Sequence, residues 1–583
     1  MSTYAAPEQG IPSRLPWWRT RRGGVAPPLL LLVLVFGAYF LRLGQLPLRG
    51  EEPTRAQIAF EMFQRHDWLV PRQQGDPFLS RPPLQNWTIA ASTVLFGNRG
   101  AWAIRFPSAL AMLLTVLLIY GYSRIFLSRL GAFAGAAAFA TFGEMFQMGP
   151  EAETEPVFIF LVTASLLLWH WGWVRRWPAA LTWTAGYGFT ALAVLAKGPQ
   201  PPVYFLGAVG AYVLLTRDWR RLFSIGHLIG ALVGAAVLAA WCVPVYLHEG
   251  AATLRGILTS DAAMRFRDWT VSDVATHLAV YPLVILGGAL PWSPFLLAYL
   301  TRDFYRSMGA ARPLALFAGA AVVLAFPTCW IPPSGQSRYF APLYPCIAVL
   351  IGLAVARTAE APAESLLRSS WRLYIYMAAG MMALAGAAML IVSFGPRGRP
   401  DLTAYAEPPL AAAVFAAACA VLAAAAFRAG GAGPSRVRTG VLAFSVFMVV
   451  TFAGVLMDVR LRWAERPEAD VARLKERLPS GERLVSFDHV ATLFTYLYGD
   501  PIPARPWPNA AGDAADDVHY FCFTVLEGMN RPALPFAWEE VAVISVDRNH
   551  HTPPENVVIV GRRLPPPPGN DVAQHREPKL SRP

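Results

Sequence analysis

Apolar runs of about twenty residues, separated by short polar connections, recur from Pro27 to Asp458, and each is long enough as a helix to cross a hydrocarbon core of about 30 Å. In lipid the backbone must satisfy its own hydrogen bonds, which leaves helices or closed barrels, and runs of this length select helices. The chain therefore reads as a polytopic α-helical membrane protein. Composition agrees: 55% of the 583 residues are hydrophobic and 15% are charged, against roughly 25% charged in soluble chains. A string of soluble domains is excluded.

Thirteen spans are expected, at 27–46, 102–123, 130–147, 155–174, 179–196, 200–216, 222–247, 276–300, 313–330, 339–356, 373–394, 409–427 and 439–457. The N-terminal tail, residues 1–26, carries Arg14, Arg19, Arg21 and Arg22. Every second connection after it repeats the bias, as at Arg124 and Arg129, Arg175 and Arg176, Arg217, Arg220 and Arg221, Arg302 and Arg306, Arg357 and Arg372, and Arg428 and Arg438. Positive charge is retained on the cytoplasmic side. The N-terminus is thus expected in the cytoplasm of a bacterial inner membrane, without a cleavable signal pattern. The odd span count puts the C-terminal part outside, with segments 47–101, 148–154, 248–275 and 331–338. The formal charge of +12 is spread among these connections and not gathered on one soluble face, which argues against a nucleic-acid partner.

From residue 459 to 563 charge returns and apolar residues fall into short blocks, which predicts a small external α/β domain. Its expected elements are a helix at 467–478, a strand at 483–487, a helix at 490–498 and strands at 518–524, 541–546 and 556–560. Residues 564–583 read as a disordered proline-rich tail. The five cysteines show neither CxxC nor metal-ligand spacing.

Nine residues stand out on the external side. Glu51 and Glu52 open an amphipathic helix with Ile58, Ala59, Met62 and Phe63 on its apolar face. Such acids can complement a helix dipole, or one can serve as a general base. Arg81 precedes Pro82-Pro83, a rigid mount for a phosphate ligand or a snorkelling cation. Glu151, Glu153 and Glu155 border the fourth span, where an acid is costly to bury. Lys197 is one of three lysines in the chain and ends the fifth span on the side that positive charge normally avoids. A compact ammonium there suits phosphate. Arg338 and Tyr339 put a cation and a phenol where the tenth span begins. Carboxylates and phosphate-binding cations are thus expected at one membrane surface, as transfer from a lipid phosphate requires.

In order and spacing, several short stretches resemble one family. They are Glu51-Glu52-Pro-Thr-Arg-Ala with Glu61-Met62, His66-Asp67-Trp68 with Pro71, Arg81-Pro82-Pro83, Arg105-Phe-Pro107-Ser-Ala, Glu155-Pro156, Lys197-Gly198-Pro199, Pro291-Trp292, and Arg338-Tyr339 leading to Pro342-Leu-Tyr-Pro345. The chain is similar to the GT-C fold glycosyltransferases that use a polyprenyl-phosphate sugar, nearest to bacterial lipid A aminoarabinose transferases and more distantly to protein O-mannosyltransferases. The resemblance implies an inner-membrane transferase acting at the periplasmic face. It sets the family's acidic pair on Glu51 and Glu52, its second-loop acid on Glu155, its Lys-Pro-Pro cation on Arg81 and its Lys-Gly-Pro on Lys197. This chain departs from the usual pattern with Glu for Asp at the acidic pair, Arg55 where relatives commonly have Tyr, and Arg81 for Lys.

The expected assignment follows. Glu51 and Glu155 are catalytic, with Glu51 the base for an acceptor hydroxyl and Glu155 orienting acceptor or sugar. Arg81, Lys197, Arg338 and Tyr339 hold the donor phosphate, whose developing charge they stabilise as it departs. Glu52, Glu153 and Arg55 face acceptor or sugar. Direct displacement inverts the anomeric centre. No metal cluster is visible, and a divalent ion held by carboxylates at 51 and 155 is the one cofactor considered. The partners expected are a polyprenyl-phosphate donor, a lipid or glycolipid acceptor and the bilayer. The competing readings are a protein O-glycosyltransferase, told apart by label appearing in protein, and a lipid or solute transporter, told apart by uptake without transfer.

Overall fold

The computed structural model describes residues 26–264, 269–395, 405–431, 433–464, 466–510, 513, 517–525, 532–546 and 556–565. The expected cytoplasmic tail up to residue 25, and the proline-rich end from 566, lie outside the described residues. The chain divides into two compact units. One comprises the chain up to Leu46, Ile58–Pro71 and Pro77–Trp463; the other comprises Pro47–Gln57, Arg72–Asp76 and the chain from Ala464.

In the first unit, ten helices among the described residues are long and apolar enough to cross a membrane, from Ala101–Ser123 to Pro434–Arg462. Three further apolar helices, Ala26–Phe40, Arg129–Ala140 and Pro201–Thr216, are shorter. A helix stands at each of the thirteen expected spans, but length and composition support ten crossings. The chain is a multi-pass membrane protein. The segment expected as an external loop at 248–275 is mostly helical: one helix runs on to Met264 past a kink at Gly250 (φ 82°), and the next starts at Val271. A reciprocal cap explains that start, with Thr270 accepting from the Asp273 amide and the Asp273 carboxylate accepting from the Thr270 amide.

Burial sorts the spans. Over their most apolar eighteen residues, 94% of Ala341–Glu360 and 78% of Thr154–Val174 is buried, against 11% of Val271–Gly288, which shows its apolar side chains outward. An all-apolar helix suits both places in a membrane protein. Between the inner helices the backbones come close. Gly131 and Gly135, four apart on Arg129–Ala140, face Gly352; a Cβ at Gly135 would lie 2.8 Å from the Ala348 carbonyl, and one at Gly352 2.6 Å from that of Gly131. Small residues at this spacing let helices pack where lipid supplies no hydrophobic driving force.

The second unit is built on a five-stranded sheet. Its strands are β1 (Leu484–Phe487), β2 (Ala504–Arg505), β3 (Tyr520–Val525), β4 (Trp538–Ser545) and β5 (Val557–Arg563), in the order β2-β1-β3-β5-β4. β1 runs parallel to β2 and β3, whereas β5 pairs antiparallel with β3 and β4. The helix Thr492–Tyr498 makes the crossover between β1 and β2. Side chains alternate across the sheet. Cys522, Val558 and Val560 pack with Phe494 and Leu474 on one face, and Phe521, Phe523 and Ile559 pack with Phe487 and Trp538 on the other.

Candidate active site

Each charged side chain of the first unit's site sits where the chain is forced to end or begin an element. The helix Thr154–Val174 starts after Glu153, whose backbone is extended, and Pro156 fits its first turn because no partner is needed there for an N–H. Glu155 therefore lies at the positive end of the helix dipole. Lys197 is the last residue of Ala179–Lys197, stopped by Gly198 at φ 107° and ψ −165°, a conformation closed to side-chain-bearing residues. Arg81 is fixed by the two prolines that lead into Leu84–Phe96. Arg338 rides on the turn Ser337–Tyr339. Ser337 Oγ donates to Glu144 Oε1 at 2.7 Å, and Tyr281 donates to the Gln336 carbonyl at 3.1 Å.

These ends converge. Lys197 Nζ donates to Glu155 Oε1 at 2.6 Å, and Arg338 Nε lies 3.8 Å from the same oxygen. Arg81 Nη1 is 4.0 Å from Glu155 Oε2 and donates to Thr154 Oγ1, which donates on to that Oε2 at 3.1 Å. Arg338 Nη1 donates to Glu153 Oε2 at 3.2 Å. The Lys197 ammonium is 5.4 Å from the ring centres of both Tyr339 and Phe158. The side chains of Glu155, Lys197 and Arg81 are almost wholly buried, while Arg338 is 27% exposed. Lys197 thus does not reach for the surface; it is held inside by a carboxylate and two rings.

Three cations against two carboxylates leave this set of five with one positive charge in excess. Arg338 is the most open of the three cations, and the cavity it faces also carries the carboxylates of Glu144, Glu151, Glu153 and Asp273. Arg338 and Glu153 line a cavity of about 810 Å³ together with Glu144, Asp273, His277 and Ser337. Glu151 lines it too.

The remaining expected residues belong to the second unit and form their own set. Glu51, just before the helix Glu52–Arg65, has its Oε2 3.6 Å from Arg55 Nη2. Glu52 is fully buried and its Oε2 accepts from the Arg49 amide at 2.9 Å, while the Glu51 side chain is 39% exposed. Of the pair, Glu51 is the one open to a reactant. Among the described residues no group of three or more His, Cys, Asp and Glu side chains gathers at metal-binding range.

Sequence reasoning passed over Thr154, Phe158 and Glu144. Thr154 stands between two singled-out acids in Glu-Thr-Glu, and Phe158 is about one turn beyond Glu155, so local signals existed for both. Glu144 meets Ser337 across 193 positions, and nothing local announces that contact.

The family model described as dolichyl-phosphate-mannose-protein mannosyltransferase matches residues 80–248, which include Arg81, Glu153, Glu155 and Lys197. The chain is 26% identical over 395 residues to an undecaprenyl phosphate-alpha-4-amino-4-deoxy-L-arabinose arabinosyl transferase of Edwardsiella ictaluri, covering 64% of this chain and 67% of the relative. It is 27% identical over 380 residues to the like-named protein of Aeromonas salmonicida, covering 63% and 66%. The crystal structure of ArnT from Cupriavidus metallidurans bound to undecaprenyl phosphate superposes with a TM-score of 0.67 at 20% identity, covering 92% of this chain and 97% of that one.

The fold is of the GT-C type. By sequence the chain resembles the bacterial aminoarabinose transferases and, over residues 80–248, the protein mannosyltransferases.

Proposed function

We propose that this protein is an inner-membrane glycosyltransferase that moves a sugar from a polyprenyl-phosphate donor to a lipid or lipopolysaccharide acceptor at the periplasmic face, with inversion. The observation that carries the reading is the set of Lys197, Arg81 and Arg338 around the buried Glu155, with its positive excess. Phosphate arriving at Arg338 competes with Glu153 and Glu155 for these cations. As the glycosidic bond breaks, charge grows on the departing phosphate, and fixed cations stabilise that state more than the bound donor. Glu155 acts here as a shared counter-ion that keeps three cations together, and Tyr339 shields the ammonium. Glu51 takes the proton of an acceptor hydroxyl, or positions an acceptor phosphate that is already ionised, with Glu52, Arg55 and Glu153 towards acceptor or sugar. The N-terminus is assigned to the cytoplasm and the sheet domain to the periplasm.

Glu51→Gln keeps the shape of the side chain and removes its basicity. In a deletion strain complemented with this variant, mass spectrometry of envelope glycolipids is expected to show the same missing sugar as in the uncomplemented strain, with normal amounts of protein in the membrane. Full restoration of the sugar would remove Glu51 from the mechanism. The match to the mannosyltransferase family model favours one second reading, transfer to protein; the sugar would then be missing from envelope proteins while glycolipids are unchanged.

A further inference from the structure

The five strands of the second unit carry none of the residues assigned to the reaction, but their polar contacts reach the segments that do. Pro47–Gln57, which carries Glu51 and Glu52, and Arg72–Asp76 are built into this unit. Neither buried cluster flanking the sheet includes a residue from these two segments. Directional hydrogen bonds join them to it. Thr54 lies in the first turn of the helix Glu52–Arg65, buried, with its hydroxyl 2.9 Å from that of Thr492. Gln74, at φ 49°, donates through Nε2 to Ser486 Oγ at 2.8 Å and to the Ile502 carbonyl at 3.0 Å. Its Oε1 accepts from the Val490 amide at 2.9 Å. One amide thus joins β1, the approach to β2 and the segment before Thr492–Tyr498. Asp76 adds an ion pair to His489 at 3.2 Å.

The same first turn fixes the acids: the Arg55 amide bonds the Glu51 carbonyl at 3.0 Å, and Arg55 and Arg49 hold the two carboxylates. A rotation of that turn would move both. Hydrogen bonds set direction as well as distance, and a reacting group displaced by about 1 Å can lose about a hundredfold in rate. We propose that the sheet domain is a positioning element for the acidic pair, acting through the Thr54–Thr492 bond and the Gln74 amide. This rests on the reading of Glu51 as a reacting group. Thr492, Gln74 and Thr54 are positioning residues that act through Glu51 and Glu52.

The test uses the full-length protein in native membranes, with undecaprenyl phosphate as the binding probe and transfer from the host's own lipid-linked pool as the rate. Thr492→Val keeps shape and removes the hydroxyl. Transfer is expected to fall about tenfold or more, undecaprenyl phosphate affinity to stay at the wild-type value, and Thr492→Ser to restore the rate. Gln74→Leu is expected to behave like Thr492→Val. Protection of Cys522, buried in the sheet, reports that the domain is folded; should Thr492→Val expose it, Thr54→Val carries the same expectation from outside the sheet. Wild-type transfer in the folded variants would overturn the proposal, as would loss of undecaprenyl phosphate binding in step with transfer, or failure of Thr492→Ser to restore it. Wild-type transfer by Glu51→Gln alongside a slow Thr492→Val would instead remove the reading of Glu51 on which it rests.

Discussion

Lys197 and Glu155 are each other's condition for being buried. Removing one partner of such a pair leaves a charge without its counter-ion and costs about 3–5 kcal/mol; Arg81 and Arg338, both within 4.0 Å of Glu155, soften the loss when Lys197 is the one removed. The two single variants should then part company in their response to an anion. Lys197→Met is expected to lower the thermal midpoint of the detergent-solubilised protein and to reduce the further stabilisation that undecaprenyl phosphate gives. Glu155→Gln removes the competing carboxylate, so undecaprenyl phosphate should raise its midpoint by more than it raises that of the wild type. Equal ligand-induced shifts in all three proteins would mean that the cluster serves folding alone. At this scale the sequence marked side chains that the structure brings together, because a lone lysine among arginines and acids at the edge of an apolar run are locally anomalous. It did not reveal the pairing of positions 155 and 197, 42 residues apart, because pairing depends on which helix ends meet.

At the scale of elements, close helix packing carries as much of the fold as apolarity does. A Cβ at Gly135 meets the Ala348 carbonyl at 2.8 Å, backbone that cannot swing aside, whereas nothing lies within 4 Å of one at Gly210. Gly135→Val is expected to destabilise by about 1–3 kcal/mol through overpacking and to reduce the monodisperse fraction in size-exclusion chromatography. Gly210→Val should match the wild type, and equal profiles for the two would argue against a tight Arg129–Ala140 interface. Most elements were legible from hydrophobic period alone. The sheet domain's helix at Glu468–Arg477 and its strands at 484–487, 520–525, 538–545 and 557–563 fall close to the expected blocks. The strand Ala504–Arg505 was not, since two residues carry no period; it exists because β1 offers an unpaired edge. The helices replacing the loop at 248–275 were hidden because hydropathy registers membrane depth and says little about a helix that continues beyond it.

For the whole molecule, two units with separate cores should come apart separately. Cys522 lies in the sheet's core, and burial pushes its thiol pKa up. The folded domain therefore keeps the thiol protonated and unreactive above the ordinary value of about 8.5. Because the raised pKa belongs to the folded state, this contribution to stability is full below the ordinary value and is lost as pH rises beyond it. Cys346 is equally buried in the membrane unit. In rising urea at constant detergent, mass spectrometry of N-ethylmaleimide-labelled peptides is expected to show Cys522 becoming reactive in a transition of its own, and earlier at pH 9.5 than at pH 7.5. Simultaneous labelling of both cysteines would indicate one cooperative unit. What the sequence determined by itself was the solvent each segment needs: twenty apolar residues demand lipid or a core, and short alternating blocks demand a sheet, both from local composition. The tertiary structure alone decided which charges share a site and which unit holds them. It gathered Arg81, Lys197 and Arg338 around the Glu155 carboxylate and gave Glu51 and Glu52 to the second unit, because ion pairs and hydrogen bonds act through space over a few ångströms, and separation along the chain does not encode that distance.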